Sequence, residues 1–186
     1  MIQGLLLMKG LLLALLYLPI NLAFTALAWL LAPVLPLFAS EDGWLPSWLW
    51  WFQTPDNSID GDGTFNKPSA HPIITRMPQY WRRVFWLIRN PSYGFNWTVL
   101  ATKALPNNPY RFFGNLQAKD SVGMYGWCFS WVTGTMYFHL KIYQPTIFGK
   151  CLKFRIGWNL ANSLMNNAYA GQKIKYCFTC NPFKSP

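Results

Sequence analysis

The sequence predicts an α+β protein: one N-terminal transmembrane helix, followed by a small domain of short helices and an antiparallel β-sheet. Three observations carry this. Residues 10–38 contain no charged side chain. Residues 80–88 space their apolar side chains at helical intervals, and beyond Ser121 apolar and polar residues alternate with period two. By composition the chain divides into a membrane anchor (1–38), an aromatic, acidic juxtamembrane region (39–66) and a basic, aromatic-rich α+β domain (67–186).

The first element is the anchor. Residues 10–31 number 22, and at about 1.5 Å per residue they reach roughly 33 Å, close to the roughly 30 Å of bilayer hydrocarbon. Two crossings do not fit, because the apolar stretch 4–38 is only 35 residues long and is interrupted by Lys9. Pro19 removes a helical donor and Asn21 adds a polar side chain, so a kink or a partner element is expected at that level. Pro33 and Pro36 should end the helix. A cleaved secretory signal, with Thr25-Ala26-Leu27-Ala28 before the cut, is the second reading; against it, the apolar run exceeds the roughly 7–15 residues of a signal and continues past the cut. Lys9 favours a cytoplasmic N-terminus, whereas the basic remainder is attracted to an anionic leaflet on either face, so the side on which the C-terminal domain lies stays open.

Composition narrows the function. Of 186 residues, 52% are apolar and 12% charged, and the net charge of +10 comes from 16 Lys and Arg against 6 Asp and Glu. That excludes a disordered chain and disfavours an ordinary cytosolic enzyme. Charge is segregated: residues 1–40 carry +1, residues 41–62 carry −5, and residues 63–186 carry +14 with Asp120 their only acid. Two histidines leave little material for imidazole metal sites, and four cysteines fall short of a disulfide scaffold.

The juxtamembrane region holds Trp44, Trp48, Trp50 and Trp51, which suit a short helix starting near Pro46 at headgroup depth, where an indole keeps its ring apolar and its N–H wet. The other reading makes them the core beside the anchor. The loop that follows offers Asp56, Asp60 and Asp62 as oxygen ligands for Ca2+ or Mg2+. Aligned to a calcium loop, however, it places Lys67 where a bidentate Glu belongs. The incomplete ligand set favours turns, or pairing of these acids with Arg82, Arg83 or Arg89. Residues 80–88 read as an amphipathic helix with Trp81, Val84, Phe85 and Ile88 on one face and Arg82, Arg83 and Arg89 largely off it. Such a helix can lie in a membrane surface or pack on its own domain. Pro91 should terminate it and Gly94 permits a positive φ.

Two strings here carry a resemblance. Trp51-Phe52-Gln53-Thr54-Pro55-Asp56-Asn57 with Asp60-Gly61-Asp62, and Arg89-Asn90-Pro91-Ser92-Tyr93-Gly94-Phe95, resemble an uncharacterised family of tailed-bacteriophage membrane proteins, as does Phe154-Arg155-Ile156-Gly157-Trp158. The resemblance implies a phage product acting at the inner membrane of a bacterial host, and implies no activity.

In the C-terminal half, residues 136–143 alternate Phe138, Leu140 and Ile142 against Tyr137, His139, Lys141 and Tyr143, as a half-buried strand does. Residues 150–158 alternate likewise, which predicts a β-hairpin. Residues 125–132 and 173–178 supply two more strands. His139 falls on the polar face of its strand and His71 in an Ala-His-Pro loop. No Gly-x-Ser-x-Gly elbow, His-Glu-x-x-His pair or phosphate-binding glycine loop is present. Cys177-Phe178-Thr179-Cys180, with Cys128 and Cys151, offers four thiolates for zinc but lacks the second close pair; disulfides or buried thiols are the alternatives.

The expectation is therefore a non-enzymatic, single-pass phage membrane protein that meets the lipid bilayer and a host or phage protein. Two other classes stand beside it: a divalent-metal-dependent enzyme at the membrane using Asp56, Asp60 and Asp62, and a membrane-tethered nucleic-acid binder motivated by the basic, aromatic C-terminal part.

Overall fold

The structure, a computed structural model, describes residues 2–103, 110–160 and 173–185, and its arrangement is α+β. Helix α1 spans Ile2–Leu31, about 45 Å at 1.5 Å per residue. It begins well before the expected Gly10, because Lys9 is solvent-exposed and its charge therefore does not oppose the helix. Pro19 lies inside the helix. Pro33 and Pro36 follow its end, and a short 3-10 turn forms at Leu35–Phe38. The helix is long and apolar enough to cross a membrane.

The chain packs as two compact units: residues 1–18 with 100–186, and residues 19–99. Their boundaries follow packing and differ from the compositional divisions, because the start of α1 packs with strands from the other end of the sequence.

In the unit of residues 19–99, a 3-10 helix at Ser47–Phe52 starts after Pro46, where the Trp-rich segment predicts one. A 3-10 turn at Ile74–Arg76 precedes α2 (Gln79–Arg89) and α3 (Tyr93–Thr98). The core gathers Ala28, Leu49, Ile59, Phe65, Trp86 and Leu87, among others. Of the two readings of α2, the one that packs its predicted apolar face on its own domain is corrected. Val84 is buried as predicted, but its partners are Trp86 and Leu87, and Trp81, Phe85 and Ile88 are exposed. The reason is Phe65, whose ring meets Trp86 edge-on at 5.0 Å and draws that side of the helix inward.

Gly94 is also corrected. It is helical within α3, and its missing side chain serves close approach: a Cβ there would lie 2.9 Å from the Trp51 carbonyl oxygen and closer still to those of Gln53 and Trp50.

The other unit holds the strands. These are β1 (Thr102–Lys103), β2 (Tyr110–Gly114), β3 (Gly126–Val132), β4 (Phe138–Pro145), β5 (Cys151–Trp158), β6 (Lys173–Ile174) and β7 (Tyr176–Lys184). β1 pairs with β6, and the rest form a five-stranded antiparallel sheet in the order β2-β3-β4-β5-β7. The β4–β5 hairpin and β3 lie where the alternation predicts them. The expected strand at 173–178 is two strands, the second running on to Lys184.

Register sorts the sheet into two chemically distinct faces. One carries the rows Trp131-Phe138-Trp158-Tyr176, Phe129-Leu140-Ile156-Phe178 and Trp127-Ile142-Phe154-Cys180. The other carries Ser130-His139-Gly157-Cys177 and Cys128-Lys141-Arg155-Thr179. Apart from the first aromatic row, burial runs opposite to the usual rule of apolar-in and polar-out. Ser130, His139, Lys141, Cys128 and Cys177 are buried, whereas Phe129, Leu140, Ile142, Phe154, Ile156 and Phe178 are only half-buried and Trp127 is exposed. Helix α1 covers the first aromatic row. Its Gly10 packs against the Met136 carbonyl and the Phe138 ring, Tyr17 meets Trp158 and Tyr176 edge-on, and the Tyr176 hydroxyl donates to the Ala14 carbonyl at 2.9 Å.

Candidate functional site

The residues singled out for a membrane interface lie in the unit of residues 19–99. Trp44, Trp48, Trp50, Trp51 and Trp81 are all exposed, Trp48 at 68%. The core reading of these tryptophans therefore does not describe their placement; the buried indole of this unit is Trp86. Trp50 is positioned by donating its Nε1–H to the Leu45 carbonyl at 3.1 Å, and Trp51 by edge contacts with Phe24 and Phe95.

The arginines of α2 are engaged within their own unit. Arg83 grips Asp60 through two nitrogens at 2.7 and 2.9 Å and donates to the Glu41 carbonyl at 2.8 Å. Arg82 donates to Asn66 Oδ1. The Arg89 guanidinium stands over the Phe65 and Trp86 rings and lies 3.1 Å from His71 Nε2. The Arg83 guanidinium holds the Asp60 carboxyl below its usual range, with help from Gln79 and against the effect of partial burial.

The three loop aspartates do not converge. Asp60 is taken by Arg83, Asp62 caps the backbone N–H of Phe65 at 2.7 Å, and Asp56 is exposed. Among the described residues no group of three His, Cys, Asp or Glu side chains is placed to hold a metal ion. A bidentate guanidinium already occupies the acceptor positions that a cation would need on Asp60.

The two motif strings meet around α1. Phe24 stacks on Phe95 at 4.2 Å and on Phe52 at 4.9 Å. Beside it, buried Asn21 donates to Asn96 Oδ1 at 2.6 Å and to Ser92 Oγ at 3.3 Å, the partner expected at that level of the helix. Gln53 accepts the Leu45 N–H at 2.8 Å. The motifs thus build a packing joint: Gly94 lets α3 approach the 3-10 backbone, Phe95 and Phe52 clasp Phe24, and Ser92 satisfies an amide inside an apolar helix.

In the other unit, the polar face of the sheet collects groups that pattern-reading left without partners. His139, 1% exposed, accepts from Arg155 Nε at 3.5 Å through Nε2, which assigns its proton to Nδ1, and that buried Nδ1 has no partner. Burial, Arg155 and Lys141 hold the imidazole well below its ordinary pKa, so it is neutral at pH 7. Lys141 donates to the Leu116 and Ala118 carbonyls at 2.8 and 3.0 Å, and burial lowers its pKa. Burial raises the Cys128 and Cys177 thiols, so they are poor nucleophiles. All four cysteines are free. Cys177 and Cys180 lie three residues apart on one strand, hence on opposite faces, which removes the zinc reading of that motif. Pairing across strands, invisible to local spacing, is what assembles this cluster.

A family model, described as a family of unknown function (DUF7338), matches residues 7–186, so the chain belongs to that family. No curated protein and no solved structure is similar to it.

Proposed function

We propose that this family member is a non-enzymatic membrane protein, anchored by α1 in the inner membrane of a bacterial host and encoded by a tailed bacteriophage, whose aromatic surfaces meet lipid and an envelope protein. One observation carries the reading: α1 leaves large apolar side chains uncovered along its length, with Leu16 at 66% and Leu30 at 77% exposure. Water is a costly environment for that surface, at roughly 25 cal/mol per Å² of apolar area, and hydrocarbon removes the cost. The exposed Trp44, Trp48, Trp50, Trp51 and Trp81 fit the amphipathic headgroup layer. The phage and host assignment rests on the two motif strings. The metal-dependent enzyme is the weaker reading, because among the described residues Arg83 holds Asp60 and the other two loop aspartates stand apart from it.

The test is fractionation of the intact chain expressed in bacteria. It should sediment with membranes, resist extraction by high salt and by alkaline carbonate, and leave them only with detergent. Recovery of uncleaved chain from the soluble fraction refutes the reading.

A further inference from the structure

We propose that the aromatic face of the five-stranded sheet is itself a lipid-contacting surface that seats in an anionic bilayer, so that the unit of residues 1–18 and 100–186 is held by a sheet face as well as by α1. This rests on the membrane reading of α1 and extends it.

Chemistry is the first argument. A sheet with one face toward water alternates apolar-in and polar-out; this one turns its serine, histidine, lysine and cysteine side chains inward and leaves the outer aromatic rows half-buried, with Trp127 exposed. In the three aromatic rows, extended onto β2 by Phe113 and Arg111, Arg111 is the sole charged residue. Phe113 is 62% exposed and Trp127 48%. Such a contiguous apolar face calls for an apolar neighbour.

Continuity with α1 is the second argument. Leu7, Met8 and Leu11 of the helix and Phe129 and Phe138 of the sheet line one open, apolar groove of about 230 Å³. The helix surface and the sheet face are therefore parts of one apolar surface, and a bilayer that wets the first reaches the second.

Charge is the third. Residues 1–18 and 100–186 hold eleven Lys and Arg against Asp120 alone, a net +10, and Asp120 is already paired with Lys153 and Lys184 at 3.1 and 3.7 Å. Residues 19–99 hold five of each sign and are neutral. The whole positive excess of the protein thus belongs to the unit bearing the aromatic face. Each Lys or Arg near an anionic leaflet contributes about 1 kcal/mol of attraction. Single-stranded nucleic acid fits less well, because stacking sites interleave rings with cations at contact distance and these rows hold Arg111 alone, whereas attraction to a leaflet acts over a Debye length and needs no interleaving.

Cys180 supplies a reporter: it is the exposed cysteine and lies in the third aromatic row. The full chain, labelled at Cys180 with an environment-sensitive fluorophore, is reconstituted in vesicles of phosphatidylcholine and phosphatidylglycerol. A second label at Phe113→Cys in the Cys180→Ser background tests the same face. A third at Val122→Cys, in the same background and 80% exposed on the segment over the opposite face, is the control. Brominated acyl chains should quench the first two labels at least about two-fold and leave the third unchanged, while aqueous iodide should quench only the third. Retention of the chain in the vesicles with the first two labels open to iodide overturns the sheet proposal and leaves the α1 reading standing. Loss of the chain from the vesicles overturns both. Shielding of the two labels by single-stranded DNA, with no quenching by brominated lipid, also overturns the proposal and assigns the face to nucleic acid.

Discussion

Replacing Gly94 with alanine sets two known effects against each other. Gly94 lies within helix α3, where alanine is intrinsically better by about 0.8–1.0 kcal/mol. Packing opposes this. The added Cβ would sit 2.9 Å from the Trp51 carbonyl oxygen and nearer still to those of Gln53 and Trp50. An unstrained contact needs about 3.4 Å, so relieving the nearest of the three requires α3 and the 3-10 backbone to separate by about an ångström. All three obstacles are main-chain atoms, and none can rotate aside. Overpacking of this kind costs typically about 1–3 kcal/mol, and here the displacement also loosens the stack of Phe95 on Phe24. With part of the roughly 0.5–1.5 kcal/mol of an aromatic pair lost as well, the net expectation is destabilisation by about 1–2 kcal/mol. At about 2–4 °C per kcal/mol for a chain of this size, Tm should fall by roughly 2–8 °C. The assay is thermal unfolding of the detergent-solubilised protein followed by tryptophan fluorescence. Gly63→Ala, at a glycine with nothing within 4 Å of a built Cβ, is the neutral comparison. An unchanged or raised Tm in Gly94→Ala refutes the packing argument and returns the position to helix propensity alone.

Three further outcomes follow from the same geometry. Asp60→Asn should cost about 1–3 kcal/mol, because it breaks a bidentate, partly buried pair. Since Asp60 has a depressed folded pKa, its stabilisation is full above the unfolded value near 3.8 and is lost as pH falls through the folded one; urea titrations from about pH 5 down to about pH 2 should show that this dependence shrinks in the variant. Asn21→Leu should lower stability by about 1–3 kcal/mol by leaving buried Asn96 Oδ1 unpaired, and an unchanged denaturation midpoint would contradict this. Calcium or magnesium at millimolar concentration should not move the Tm, because Arg83 holds Asp60; a shift abolished by Asp60→Asn would reopen the metal reading.

Elements with strong local signals were readable in advance. The long apolar helix α1, the 3-10 helix after Pro46, α2, β3 and the β4–β5 hairpin all follow from composition, caps and period. What local pattern missed has a common cause. The inward face of α2 depends on Phe65, which sits in a loop with no periodicity. α3 was hidden because Pro91 and Gly94 both read as terminators, although a proline two residues before a helix is harmless and this glycine exists for close approach. β2 is a five-residue strand that shows itself only by pairing with β3. The acidic loop was legible as an acid cluster, but its meaning was not: the five acids of residues 41–62 balance Lys67, Arg76, Arg82, Arg83 and Arg89, a fact that appears only once packing places both sets in one unit.

His139 draws these threads into one measurable consequence. Alternation in β4 separates His139 and Lys141 from Leu140 and Ile142, but a period of two marks only that there are two faces; solvent decides which one is buried. Were the polar face turned out to water, the imidazole would titrate near its ordinary value. Here that face is covered, and burial with two neighbouring cations depresses the pKa. The unfolded chain then binds a proton that the folded chain refuses. Stability is therefore full above the unfolded value near 6.5 and falls by about 1.4 kcal/mol per pH unit below it, until the folded group itself protonates. His139→Gln should flatten the decline between pH 6.5 and 5 in urea titrations of the solubilised protein. A wild-type stability that stays level across that interval would mean that the imidazole is reached by water, and the inverted burial of the sheet would be wrong with it.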